Sequence, residues 1–170
     1  MANGFLHLRR QLAERTVAPL GQVTFWVYLL IGVVLLGGLG VWIEALIFWF
    51  STAETNSEHI RIALITFFPA LVGSTSLELI FADTVTKPVR AFAVLCGFMC
   101  FGLATWLGVE RNLSTIWAFP IASLASLAAI WIWWIAHGLD DIFYDHVDGA
   151  AAVGGDPTNP PVGSLDNFRH

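Results

Sequence analysis

Four long apolar stretches constrain this chain more than any other feature: Val23 to Phe50, Ile60 to Ala82, Val89 to Gly108 and Trp117 to Ala136. A helix needs about 20 residues to cross the hydrocarbon core of a bilayer, and each stretch meets or nearly meets that length. A water-soluble four-helix bundle would repeat charges along the outer face of each helix, and none of the four does so. Of the 170 residues, 56% are hydrophobic and 12% charged, about half the charged share of an ordinary soluble protein. The expected fold is therefore all-α, an integral membrane protein of four transmembrane helices arranged as an oligomeric helical bundle. The first stretch follows 22 residues with no small-residue cleavage site and is expected to remain as a span. Its 28 residues exceed a simple crossing, which implies tilt or an interfacial extension.

Basic residues near span ends set orientation. Arg9, Arg10, Arg15, Lys87, Arg90 and Arg169 fall on one side, and only Arg61 and Arg111 on the other. That asymmetry puts both termini in the cytoplasm. Trp26, Trp131, Trp133 and Trp134 fall near the inner interface and Trp49, Trp106 and Trp117 near the outer one, where indoles anchor helices. The connections Ser51 to His59, Asp83 to Pro88 and Val109 to Ile116 are short, so neighbouring spans should be antiparallel.

Residues 1–136 divide into an amino-terminal segment and the four spans. Phe5 to Leu20 mixes leucines with three arginines, a pattern that suits either a helix on the inner leaflet or a disordered basic leader. Pro19 and Gly21 should separate it from span one. Residues 137–170 form an acidic cytoplasmic tail. Its first part, His137 to His146, has helical spacing and could extend span four. Gly149 to Phe168 reads as irregular chain. Six Asp against one Arg in this tail argue against direct nucleic-acid binding.

Small residues recur at a spacing of four, which puts them on one helix face and lets backbones approach in a membrane. Span two has Ala70, Ser74 and Ala82, span three Cys96, Cys100, Ala104 and Gly108, and span four Ala118, Ala122 and Ser126. These faces pack within one chain or between copies. Gly32, Gly37, Gly38 and Gly40 in span one mark a bend, a tight crossing or a ligand approach. Pro69 should kink span two, with Ser74, Thr75 and Ser76 available for loosened carbonyls.

Glu44 and Glu78 are the intramembrane carboxylates, and an ionised carboxylate in hydrocarbon needs polar surroundings. They lie towards opposite sides of the bilayer, too far apart for a paired-carboxylate active site. Glu78 with Ser74 and Thr75 could line the inner end of a polar path. Its alternative is a structural role, bonded between helices or meeting Lys87 or Arg90. His137, Asp141 and Asp145, with His146 and Asp148 nearby, have a spacing that could bind a divalent cation. A solvated end or an acidic docking patch is the favoured reading, so no metal and no cofactor is expected. Cys96 and Cys100 read as packing residues. There is no phosphate loop, zinc-type cysteine pairing or nucleophile–base pair, so the chain is not expected to be an enzyme.

The four-span layout, the stretch PALVGSTSLELIFADTVTKP from Pro69 to Pro88 and the cytoplasmic DDIFYD from Asp140 to Asp145 resemble KwaA, the membrane component of the Kiwa bacterial anti-phage defence system. The resemblance implies a homo-oligomeric membrane sensor or scaffold that works with KwaB, a soluble, DNA-binding effector. On that reading Asp140, Asp141, Ile142, Phe143, Tyr144 and Asp145 form the partner-binding segment, apolar anchors set among carboxylates. The competing expectation is a small ion channel or transporter with Glu78 near the cytoplasmic end of its path.

Overall fold

The computed structural model describes residues 4–51, 58–82, 85–110 and 115–145; the side chains of residues 115 and 116 are outside this description. Helix α1 covers Gly4–Val17 and passes through a 3-10 turn, Ala18–Gly21, into α2, Val23–Val27. The chain then widens into a π-helical stretch, Tyr28–Gly37, followed by α3, Leu39–Phe50. Three longer helices complete the fold: α4, Glu58–Phe81; α5, Lys87–Val109; and α6, Thr115–His137. A short 3-10 turn, Asp141–Phe143, closes the described chain.

The described residues form an all-α bundle without a strand, and α4, α5 and α6 are each long and apolar enough to cross a membrane. Gly4–Gly21 and Val23–Gly37 reach the length and apolarity of a further span only when counted together, and the two meet at 96° at the break between them. Pro19 sits in the 3-10 turn that makes this corner, as its fixed backbone angle and missing amide favour. The amino-terminal segment is thus a helix, and it lies across the end of the bundle.

α4 is the central element, packed against α3, α5 and α6. Phe68, Val72, Leu107, Ala122 and Ala129 are completely buried in the core between these helices. α6 brings its small face, Ala118, Ala122 and Ser126, into this chain's own interior. Cys96, Cys100 and Ala104 pack half-buried against the same core, whereas Gly108 is exposed with open space around its α-carbon. Gly108 therefore ends the small-residue series outside the packed face.

Gly38 explains much of the glycine cluster. Its amide bonds the Val33 carbonyl, five residues back, and the Trp42 indole donates to the Val34 carbonyl at 2.8 Å. A β-carbon at Gly38 would lie 2.4 Å from that carbonyl oxygen. The glycine is required where the wide helix returns to α-helical winding. Pro69, by contrast, sits in a single uninterrupted helix. The hydroxyls of Ser74 and Thr75 both donate to Leu71, not to a carbonyl on the amino-terminal side of Pro69 where its missing amide is felt.

One end of the bundle collects α1, the end of α4, the start of α5 and the end of α6. Arg15 is buried there and donates to the carbonyls of Ile135 and Ala136 at 3.2 Å each, capping α6. The Trp134 indole returns a bond to the Thr16 carbonyl at 3.0 Å, and Thr86 donates to Gln11. Phe25 is fully buried, with Trp133, Trp134 and Phe143 at ring distances of 4.9 to 5.9 Å. Trp133 and Trp134 thus fasten α1 and α2 to α6, while Trp49 and Trp117 remain largely exposed at the far end.

Candidate functional site

α6 stops at His137, and Gly138 begins a turn instead of another helical turn. A β-carbon at Gly138 would lie 2.0 Å from the Arg15 carbonyl oxygen, so the close crossing of α1 ends the helix path. His137, Asp141 and Asp145 consequently share no helix face. Asp140 accepts a bond from the Ile142 amide and opens the 3-10 turn. Phe143 is buried among Phe25, Tyr28, Trp133 and His137. The Tyr144 hydroxyl donates to the Gly138 carbonyl at 3.1 Å.

Asp145 reaches farther. Its carboxylate accepts from the Val23 amide at 2.7 Å, the Thr24 amide at 3.4 Å and the Thr24 hydroxyl, and its own amide donates to Gln22 at 2.8 Å. The carboxylate therefore caps the first free amides of α2. The Thr24 hydroxyl, with the two amides adding and desolvation opposing, holds the Asp145 carboxyl below the ordinary carboxylate range. Of the DDIFYD stretch, Asp141 and Ile142 remain exposed away from these contacts. His146, Asp148, Gly149 to Phe168 and Arg169 lie outside the described residues, as do 52–57, 83–84 and 111–114.

An open groove of about 610 Å³, with polar groups in an otherwise mainly apolar lining, runs between α3 and α4. Gly37, Gly40 and Glu44 line one wall, and Thr66, Phe67 and Ser74 the other. At its mouth His59 Nδ1 lies 3.9 Å from Glu44, whose side chain is 31% exposed. Of the polar membrane residues singled out in the sequence, Glu44 and Ser74 are thus brought to one site, together with Gly37 and Gly40 of the glycine cluster and Ala70 of the small-residue series. Thr75 turns instead into the core, where it is 1% exposed and bonded to Leu71.

Glu78 follows Ser74 by one turn on the same face of α4, about 6 Å farther along the axis. It lines a second, smaller concavity of about 260 Å³ with Arg15, His137 and Asp140. Its partner is His137, whose Nε2 lies 3.5 Å away; Arg90 is engaged with the Ala82 carbonyl at 2.6 Å. Each end of the α4 face therefore carries a carboxylate–imidazole pair.

His59, Thr66 and Phe67 were not singled out by sequence reasoning. The four-residue series Thr66, Ala70, Ser74, Glu78 was the available signal for Thr66. His59 gave none, because its neighbour Glu44 is distant in sequence. Among the described residues no group of three His, Cys, Asp or Glu side chains converges as a metal site. Comparison with protein-family models, curated proteins and solved structures finds no match to this chain.

Proposed function

We propose that this protein is a subunit of a homo-oligomeric bacterial inner-membrane protein with four crossings, the fourth formed by Val23 to Phe50, and with both termini cytoplasmic. Its α3–α4 grooves meet between copies and enclose a polar path, so the assembly works as a small channel or transporter. The observation that carries this reading is the outward row Thr66, Ala70, Ser74 and Glu78 on α4, with Glu44 of α3 across the groove from Thr66 and Ser74 and with Glu78 in the adjoining concavity, set against a closed apolar core on the other side of α4. Carboxylates and hydroxyls facing lipid are costly, and a second copy removes that cost by presenting the same polar groups. Protein reconstituted in liposomes is expected to pass monovalent cations, with flux reduced at least severalfold in Glu44→Gln and Glu78→Gln. Flux equal to that of protein-free liposomes would contradict the path.

A second reading, a sensor or scaffold that recruits a soluble cytoplasmic partner such as a KwaB-like effector in anti-phage defence, is favoured by one feature. Ile142 is 74% exposed beside Asp141 on a turn that Phe143, Tyr144 and Asp145 hold in place. An exposed apolar tip on a fixed turn is a suitable anchor for another protein. Ile142→Ala is expected to lower co-purification of such a partner while leaving cation flux unchanged; full retention of the partner would count against this docking point.

A further inference from the structure

We infer that the wider part of the α3–α4 groove, around Glu44 and Phe67, is a binding site for a lipophilic organic monocation. This names the ligand class that the path proposed above would accept and rests on that reading. Size is the first consideration. A volume of about 610 Å³ lies inside the roughly 300–1,000 Å³ range of small-molecule sites. It is far larger than a dehydrated metal ion needs.

Charge is the second. Among the described residues, Glu44 and His59 are the titratable groups that line the groove, and no described lysine or arginine does so. The nearby Arg61 is buried and paired with Glu58. The hydroxyl hydrogens are already committed, since Thr66 donates to the carbonyls of Ile62 and Ala63, and Ser74 to that of Leu71. What these side chains offer a ligand is acceptor oxygen, a lining suited to a cation and poor for an anion.

Chemistry of the walls decides between kinds of cation. A small metal ion requires several converging oxygens, whereas Thr66 and Ser74 are two turns apart, about 12 Å along α4. One carboxylate beside an aromatic ring and aliphatic walls instead matches a diffuse charge carried on apolar groups. Phe67 supplies the aromatic side chain of the lining. Gly40 leaves the floor open, with no atom within 4 Å of where its β-carbon would be.

Tetraphenylphosphonium binding to the full-length protein in nanodiscs, followed by isothermal calorimetry, tests the inference. Saturable binding of no more than one cation per chain is expected. Glu44→Gln should weaken it by about tenfold or more, from loss of an ion pair in a partly dry site. Glu110→Gln, at the end of α5 and outside this groove, should leave it within about twofold of the parent. Gly40→Leu places a side chain in the groove while keeping Glu44, and is expected to abolish binding in protein that retains its helical circular dichroism. Tetraphenylborate, of the same shape and opposite charge, should not bind when titrated alone. No tetraphenylphosphonium binding above that of empty nanodiscs, equal binding in Glu44→Gln, or saturable tetraphenylborate binding lost in Gly40→Leu would overturn the site. Cation flux without a tetraphenylphosphonium site would overturn this inference alone; binding without flux would support it and contradict the path.

Discussion

Gly138 lacks a side chain because the Arg15 backbone occupies that space, 2.0 Å from where a β-carbon would stand. Backbone cannot move aside as a flexible side chain can, so Gly138→Ala should lower unfolding free energy by roughly 1–3 kcal/mol. Thermal unfolding in detergent measures this. Arg15 was legible only as a positive charge, and its role as a cap on α6 depends on a contact 120 residues away in sequence. Asp145 shows the same limit: its carboxylate spacing suggested a surface or a ligand, whereas it closes the start of α2. Because the folded Asp145 carboxyl titrates below the unfolded one, its contribution is complete above about pH 3.9 and is lost as pH falls through the lower folded value. The difference in thermal unfolding midpoint between the parent and Asp145→Asn should accordingly hold steady above that pH and shrink below it.

Helices were readable from hydropathy, but the faces they use were only half readable. A spacing of four identifies a face without saying what lies opposite. Ala122 and Gly108 belong to similar series, yet Ala122 is completely buried against α4 and Gly108 meets nothing. Ala122→Leu is therefore expected to cost about 1–3 kcal/mol by overpacking, and Gly108→Ala to change stability by no more than about 0.5 kcal/mol. Chemical or thermal unfolding of both variants checks the contrast; equal effects would remove the distinction between the two faces. The π-helical stretch had no signature beyond its glycines. It becomes intelligible through the Trp42 bond to Val34, and Trp42→Phe should cost about 1 kcal/mol as that donor is lost.

The assembled bundle turns a closed apolar core to one side of α4 and a groove carrying polar groups to the other. Sequence patterns located Glu44, Ser74 and Glu78 but grouped Ser74 with Glu78 instead of Glu44, because the groove that joins Glu44 to Ser74 links α3 and α4, which no local period connects. The one-sided exposure of Thr66, Ala70 and Ser74 is the basis for placing a second copy there. Disulfide cross-linking in native membranes addresses that placement directly, in a background where Cys96 and Cys100 are replaced by alanine. Ala70→Cys and Ser74→Cys are expected to form covalent dimers on oxidation, while Phe98→Cys, on an exposed face of α5, stays monomeric. Monomer at both groove positions, or equal cross-linking at Phe98→Cys, would contradict a groove enclosed between copies.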